Sequence, residues 1–551
     1  MLFAAITTTV ALLFRYGYSF GLFDQTVYSL RGIALADPSA FRFDWFARTV
    51  PQPHWLFDAV TYVGARLGLL PAAYLTYWLA GILAFAVGSV WLTRRFLPDR
   101  PALAAALGPI VVLGPATLLG STTLLVWFAD PHMLGGCLAF LALCGLLTDR
   151  WRVASLAALA AGLFHVQHGA NLAPVLILTA VLATKAPTRR RLLLVATALV
   201  LVAGAAGIAQ WRGLHTTGDQ WLVTCERLIP FHCFAPSWGP GYLAAGGVVL
   251  AAAAGFAWSL RRQWRSAVPA VALPATGLLL GVLAERFELG ALGRLAAQFN
   301  VHRLATIVEP FAAFGLLCLV AGAASGRRQV RIRRAGLAVV VLAVWSTMSE
   351  SAVRGPRAVA ALVVVGLTGG LLAWFVPRQA VRPRQRAVAL LGGLAIVTVV
   401  AGAEGHLGQM GYDRSLPTVR AALAIKAAVP DTAVIAAPPD MYWLRAISER
   451  SVVADCKAVP YGGPLWDEYM ARMRDLGGNC AGRANGWQQL SPEAVESLRT
   501  RYGVTHVLLQ DNDPKVAYAR THWRQVFQAP AEDFEFFEHG LLVFDATAGP
   551  S

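Results

Sequence analysis

The sequence predicts an α-helical polytopic membrane protein of about 13 spans that carries a C-terminal extracytoplasmic α/β domain. Three observations lead there. Of 551 residues 56% are hydrophobic and 14% charged, with a mean hydropathy of +0.54, against roughly 25% charged in an ordinary soluble domain. Apolar stretches long enough to cross a bilayer alternate with short basic clusters. Beyond about Gly405 the long apolar stretches end, and strand-like and helix-like segments alternate. The first of these excludes a soluble enzyme. The net charge of +16 would suggest nucleic acid in a soluble chain, but here the cations cluster at the ends of apolar spans, so no nucleic-acid partner is expected.

The basic clusters TRRFLPDR (93–100), TDRWR (148–152), KAPTRRR (185–191), RRQWR (261–265), RRQVRIRR (327–334) and PRQAVRPRQR (377–386) read as cytoplasmic turns. The connections at 20–55, 119–133, 165–171, 210–240, 285–305 and 348–357 hold most of the loop acids, aromatics and histidines, and fall on the far side. Between them lie spans at 2–19, 71–92, 101–118, 134–147, 153–164, 172–184, 192–209, 241–260, 267–284, 306–325, 335–347, 358–376 and 387–403. This arrangement gives a multi-pass membrane protein with a cytoplasmic N-terminus. Arg15 and Tyr16 interrupt the first span, so Arg15 belongs near the outer interface or the true start lies upstream. All 11 histidines fall on or beside the outer face.

Residues 1–404 therefore form the membrane domain, with a long first external loop at 20–55, and residues 405–551 the external domain. In the latter, TAVIAAPP (432–439), SVVADCKAVP (451–460), THVLLQD (505–511) and GLLVFDA (540–546) predict strands. PTVRAALAIKAAV (417–429), WDEYMARMRDLG (466–477) and SPEAVESLRTRYG (491–503) predict helices, the last opening at Ser491 and closing at Gly503. Cys137, Cys144 and Cys318 lie in apolar spans. Cys225 with Cys233, and Cys456 with Cys480, form two external pairs that suit disulfides in an oxidising compartment, or else free buried thiols.

The chemistry-bearing residues gather at the outer ends of spans. Asp24 stands where the first span emerges, and Asp44 lies among aromatics in FRFDWF. Either carboxylate could take a proton from an acceptor hydroxyl or bind a metal holding a phosphate; alternatively each simply pairs with Arg31, Arg42 or Arg48. His54 closes the first loop. VWFADPHMLGG places Asp130 and His132 two residues apart, and FHVQHGAN places His165 and His168 on one face if the helix continues through them. Arg286, Arg294 and Arg303 occur on the side where arginine is disfavoured. They suit a lipid-linked phosphate, or pair with Glu285, Glu288 and Glu309. The expected substrate-binding set is Arg48, His54, Asp130, His132, His165, His168, Arg286 and Arg303. A divalent cation, Mg or Mn, is the one cofactor such a site admits, and its ligands are not identified by spacing.

A carboxylate just after the first span, a long external first loop, many spans and an extracytoplasmic α/β tail together resemble the GT-C superfamily of integral membrane glycosyltransferases. The tail segments AISERSVVADCKAVPYGGPLWDEYMARM and LRTRYGVTHVLLQ are similar to those of a bacterial polytopic branch of that group. The resemblance implies a polyprenyl-phosphate sugar donor, a glycan or lipid acceptor in the cell envelope and surrounding membrane lipids. It makes Asp24 the catalytic acid of the first loop and Asp44 a second loop acid. No WWDYG-like signature is present, which argues against protein N-glycosylation. Two competing readings are a transporter and a non-catalytic membrane scaffold. The first is disfavoured by the scarcity of mid-span ionisable groups and by the absence of an inverted repeat. The second requires the loop acids to be dispensable.

Overall fold

The computed structural model describes residues 1–112, 114, 123–183, 185–211, 220, 223–228, 233–298, 300–323, 411–460, 463–478, 480, 486–531 and 539–549. Each of the first ten expected spans falls on a helix. These are α1 (Leu2–Tyr16), α6 (Leu70–Phe96), α7 (Ala104–Val112), α8 (Pro131–Leu147), α9 (Trp151–Phe164), α10 (Val166–Leu182), α11 (Ala186–Trp211), α12 (Pro240–Ser259), α13 (Leu273–Arg286) and α15 (Ala305–Ala323). The spans expected at 335–347, 358–376 and 387–403, with the basic turns beside them, lie outside the described residues.

By length and composition, four helical stretches can cross a membrane: Leu70–Phe96, Tyr242–Ser259, Val268–Arg286 and Val301–Leu319. Five more apolar helices are shorter, among them Pro131–Leu147, Trp151–Phe164 and Val166–Leu182. The thirteen-span count is thus not reproduced among the described residues, because apolar segments are divided by local breaks below the roughly 20 residues a perpendicular span needs. One break is instructive. His165, extended at φ −144° and ψ 102°, ends α9 and begins α10. Arg15 sits in the last turn of α1 and donates to the Gly114 carbonyl at 3.1 Å.

The helices pack through a shared apolar core. Helices α6, α8 and α9 form one run of neighbours, α10 packs on α11, and α12 on α15. The first loop is itself helical: α2 (Gln25–Tyr28), α3 (Leu30–Ala36), α4 (Trp45–Thr49) and α5 (Trp55–Arg66). Helix α5 turns Phe57, Asp58, Thr61 and Gly64 inward, with α3 packed against it. Short α14 (Ala291–Gln298) precedes the turn that leads into α15.

The C-terminal region is α/β. Strands β1 (Val434–Ala436), β2 (Ser451–Val452), β3 (His506–Gln510), β4 (Arg524–Ala529) and β5 (Leu541–Asp545) form one sheet in the order β2-β1-β3-β5-β4. The pairs β1–β2 and β1–β3 are parallel, and β3–β5 and β4–β5 antiparallel. Helices α16 (Pro417–Ala428), α17 (Trp443–Ser448), α18 (Gly463–Asp475), α19 (Pro492–Tyr502) and α20 (Val516–His522) accompany it. Alternate strand residues feed two apolar clusters: Val507 and Leu509 join Trp487 and Leu498, while Leu508 joins Ile425 and Leu444. As its sequence indicates, α19 starts at Ser491, whose side chain accepts from the Ala494 N–H, and stops at Gly503 with φ 69°. A fourth cluster joins Val27, Leu30 and Phe46 of the first loop to Ala446 and Ala458 of the tail, seating the loop on the α/β region.

Candidate active site at the outer helix ends

Asp24 is placed by a turn that few sequences could make. Gly21 has φ +74°, and a Cβ there would lie 2.1 Å from a ring carbon of Tyr412, so the close approach of Tyr412 requires glycine. The Gly21 N–H donates to the Gln25 side chain, whose amide in turn donates to the Ala129 carbonyl at 2.8 Å. Buried Gln25 thereby ties the start of the first loop to the segment that carries Asp130. Asp24 then meets Lys457 of the tail, with Nζ 2.7 Å from Oδ1.

Asp130 caps α8, its Oδ1 accepting from the Met133 N–H at 2.7 Å, with Pro131 in the first turn. Its carboxyl is pushed up to about 8, first by burial and then by the charge of Asp24, while Arg303 and Lys457 pull it partly back. The carboxyl group is therefore mainly protonated at neutral pH.

Four buried histidines from three segments pack ring against ring beside it. His54 and His165 lie with ring centroids 4.9 Å apart, His165 and His168 4.6 Å, and His132 and His168 4.8 Å. His132 Nδ1 and His168 Nε2 are 3.0 Å apart, one donating to the other. Gly135 permits this approach, since a Cβ there would stand 2.7 Å from that of His165. Burial, followed by the charge of Arg303, lowers His54 to about 3, and burial with the neighbouring imidazoles lowers His165 well below its ordinary value. Burial thus favours the neutral form of His54 and His165, in which each ring keeps one N–H donor. His54 also feels Asp24, which links the histidine stack to the first-loop acid.

Arg303 enters from the turn before α15. Asn300, in the left-handed region at φ 43°, reverses the chain, its carbonyl accepting from Gln167 of α10 at 2.9 Å. The Arg303 Nε is buried without a hydrogen-bond partner among the described residues. Beside it, His302 is paired with Glu285 in the interior, the Trp238 ring 4.8 Å away.

Asp24, His54, Asp130, His132, His165, His168 and Arg303 are thus brought to one place, but three other expected site residues are not. Asp44 is buried between loop and tail: Oδ1 accepts from the Ala47 N–H at 2.8 Å, and Oδ2 from Arg445 Nε at 2.8 Å and the Val452 N–H at 2.9 Å. Arg48 spends its guanidinium on the carbonyls of Ala34, Pro38, Ala40 and Phe41, clasping the first loop. Arg286 is exposed and donates to the Pro236 carbonyl at 3.0 Å. Both arginines thus donate to backbone carbonyls away from this group.

Lys457, Arg445 and Asp455 are the residues that sequence reasoning missed. Lys457 was legible only as a cation beside a candidate disulfide cysteine. Both expected disulfides are present, Cys225–Cys233 and Cys456–Cys480. Among the described residues, no three His, Cys, Asp or Glu side chains are grouped so as to hold a metal ion.

A family profile described as a domain of unknown function, DUF6798, matches residues 417–476. That stretch contains Arg445, Asp455 and Lys457, the tail's contributions to the loop contact and the site. No curated protein matches. Among solved structures, the chain is similar to ArnT from Cupriavidus metallidurans in the apo state, at 16% identity over 100% of this chain and 98% of that one, with a TM-score of 0.49. It is also similar to the Archaeoglobus fulgidus oligosaccharyltransferase tethered with an acceptor peptide, at 12% identity over 95% and 72%, with a TM-score of 0.37. The same enzyme in complex with Zn and sulfate gives 12% over 95% and 71%, with a TM-score of 0.35. The functional reading therefore rests on the site's own residues.

Proposed function

We propose that the protein is a membrane glycosyltransferase of the GT-C kind, moving a sugar from a polyprenyl-phosphate donor to an extracytoplasmic glycan or lipid acceptor in the bacterial cell envelope. One observation carries the reading. A partly exposed first-loop carboxylate, Asp24, stands near Arg303 and four packed, buried imidazoles where apolar helices end. Charged groups at such a depth are costly unless they serve water or a polar ligand, and gathering them from several segments makes one shared site.

In this reading Asp24, rather than Asp44, is the base. The bond between the sugar C1 and the phosphate oxygen breaks, its electron pair leaving with the phosphate. The acceptor oxygen forms the new bond to C1 as its hydroxyl proton passes to Asp24. Arg303 and the imidazole N–H groups stabilise the charge that develops on the phosphate. The orientation with the tail outside is part of the proposal and is supported by the basic turns.

The experiment is transfer by the full chain in proteoliposomes supplied with a panel of polyprenyl-phosphate sugars. Asp24→Asn should abolish transfer while the protein stays folded. Full activity in that variant overturns the assignment.

A further inference from the structure

The Asp24–Lys457 pair joins the first loop to the tail, and the tail is built to hold its end. Cys456, next in sequence, is tied to Cys480 and donates its N–H to the Pro439 carbonyl at 2.8 Å. Asp455 Oδ1 accepts from the backbone N–H groups of both Lys457 and Ala458 at 2.8 Å. Arg445 anchors that aspartate through its other oxygen. The ammonium itself lies 5.3 Å from the ring centroid of Tyr442. A surface lysine serving solubility needs none of these restraints.

The pairing also creates a chemical conflict. An ammonium 2.7 Å from a carboxylate stabilises the charged form and makes it a poorer base. Yet this is the carboxylate that must take the acceptor's proton. The side chains of Lys457 and Asp24 are 30% and 36% exposed, so an incoming anion can reach both. Two cations, Lys457 and Arg303, lie with Asp24 close enough for their charges to act on Asp130, so the place offers more than one cation to an incoming anion.

We infer that Lys457 is a phosphate-contacting residue that exchanges partners, neutralising Asp24 in the resting protein and moving to the phosphate of the lipid donor when it binds. This rests on the glycosyltransferase reading. Departure of the lipid phosphate adds negative charge to its oxygens, so the ammonium gains more from the phosphate in the transition state than it loses at Asp24. Once released, Asp24 recovers its basicity. Donor binding thus switches on the base, and the donor must bind before the acceptor is deprotonated.

The test uses the full chain in lipid nanodiscs with decaprenyl phosphate as the probe and uncharged decaprenol as its control. Lys457→Ala should weaken decaprenyl phosphate binding about tenfold, the loss of one charge-assisted hydrogen bond, and Lys457→Arg should restore most of it. Asp24→Asn removes the competing partner and should tighten binding by about threefold, the scale of a partly exposed ion pair. The double variant should bind like Lys457→Ala alone. Misfolding cannot imitate a gain in affinity. If decaprenyl phosphate binds the wild type and Asp24→Asn leaves its affinity unchanged or lower, the exchange is overturned and the functional reading stands. If decaprenyl phosphate binds the wild type no better than decaprenol, the lipid-phosphate reading falls and takes the exchange with it.

Discussion

Arg445 Nε donates to Asp44 Oδ2 at 2.8 Å although the two residues are 401 positions apart, and its Nη1 reaches Asp455. All three side chains are buried. A buried cation between two carboxylates is expensive to break, because either partner left alone keeps its desolvation cost. Arg445→Ala strands both acids and should destabilise the loop–tail contact by about 3–5 kcal/mol. Asp44→Ala leaves Arg445 with Asp455 and should cost less. Limited proteolysis of the full chain in detergent reads both, and equal protection in all three proteins would show that the tie carries no stability.

That contact also marks where sequence reasoning stops. Helices at ten expected spans follow from apolar length, and β1, β2, β3 and β5 from short apolar runs bounded by turn residues. Strand β4 is missed because RQVFQA is an edge strand with little burial, so its apolar content falls below the signal. The histidines and Asp130 were legible as a group because they share the outer ends of spans. Lys457 and Arg445 were not. Their partners lie some 400 residues away, and periodicity carries no information on pairing between remote segments. The carbonyl contacts of Arg48 and Arg286 were hidden for the converse reason: a sequence does not show which backbone carbonyls will turn toward a guanidinium.

The Cys456–Cys480 disulfide closes 24 residues around the segment that presents Lys457. In the chain-entropy account such a loop contributes roughly 3 kcal/mol. Cys456→Ser with Cys480→Ser should lower the unfolding midpoint of the tail accordingly. Peptide mapping without reductant is the direct check, and recovery of both cysteines as free thiols from natively exported protein would refute the pairing.

With the tail outside, a C-terminal tag should be removed by protease added to intact spheroplasts. Protection until lysis would invert the proposed orientation.

Asp58 of α5 is buried with neither carboxylate oxygen hydrogen-bonded among the described residues. Burial pushes it up to about 7, with Arg31 offsetting part of the cost. The folded state therefore holds a proton that the unfolded chain releases near pH 4. Stability from this group is present below that value and is lost as pH rises to about 7. Asp58→Asn should stabilise the protein at pH 8 by a few kcal/mol and change little at pH 4. Thermal unfolding at the two pH values decides, and an equal shift at both would refute the burial account.

Asp130 makes a different prediction, because its charge lies beside the ligand. At neutral pH its protonated carboxyl adds no charge near Asp24. As pH rises through about 8 it ionises, placing a second negative charge where the donor phosphate must sit, against the pull of Arg303 and Lys457. The KM for the lipid donor should therefore climb above pH 8. Asn is as good a helix cap as Asp, so Asp130→Asn should keep the bond from Met133 and the shape of α8 while removing the titration. That variant should hold a flat KM from pH 7 to pH 9 in reconstituted transfer assays, and should gain stability relative to wild type over the same range, since a raised carboxyl costs the folded state most once ionisation is demanded. A KM that still rises above pH 8 in Asp130→Asn would assign the alkaline limb to another group and remove Asp130 from the site.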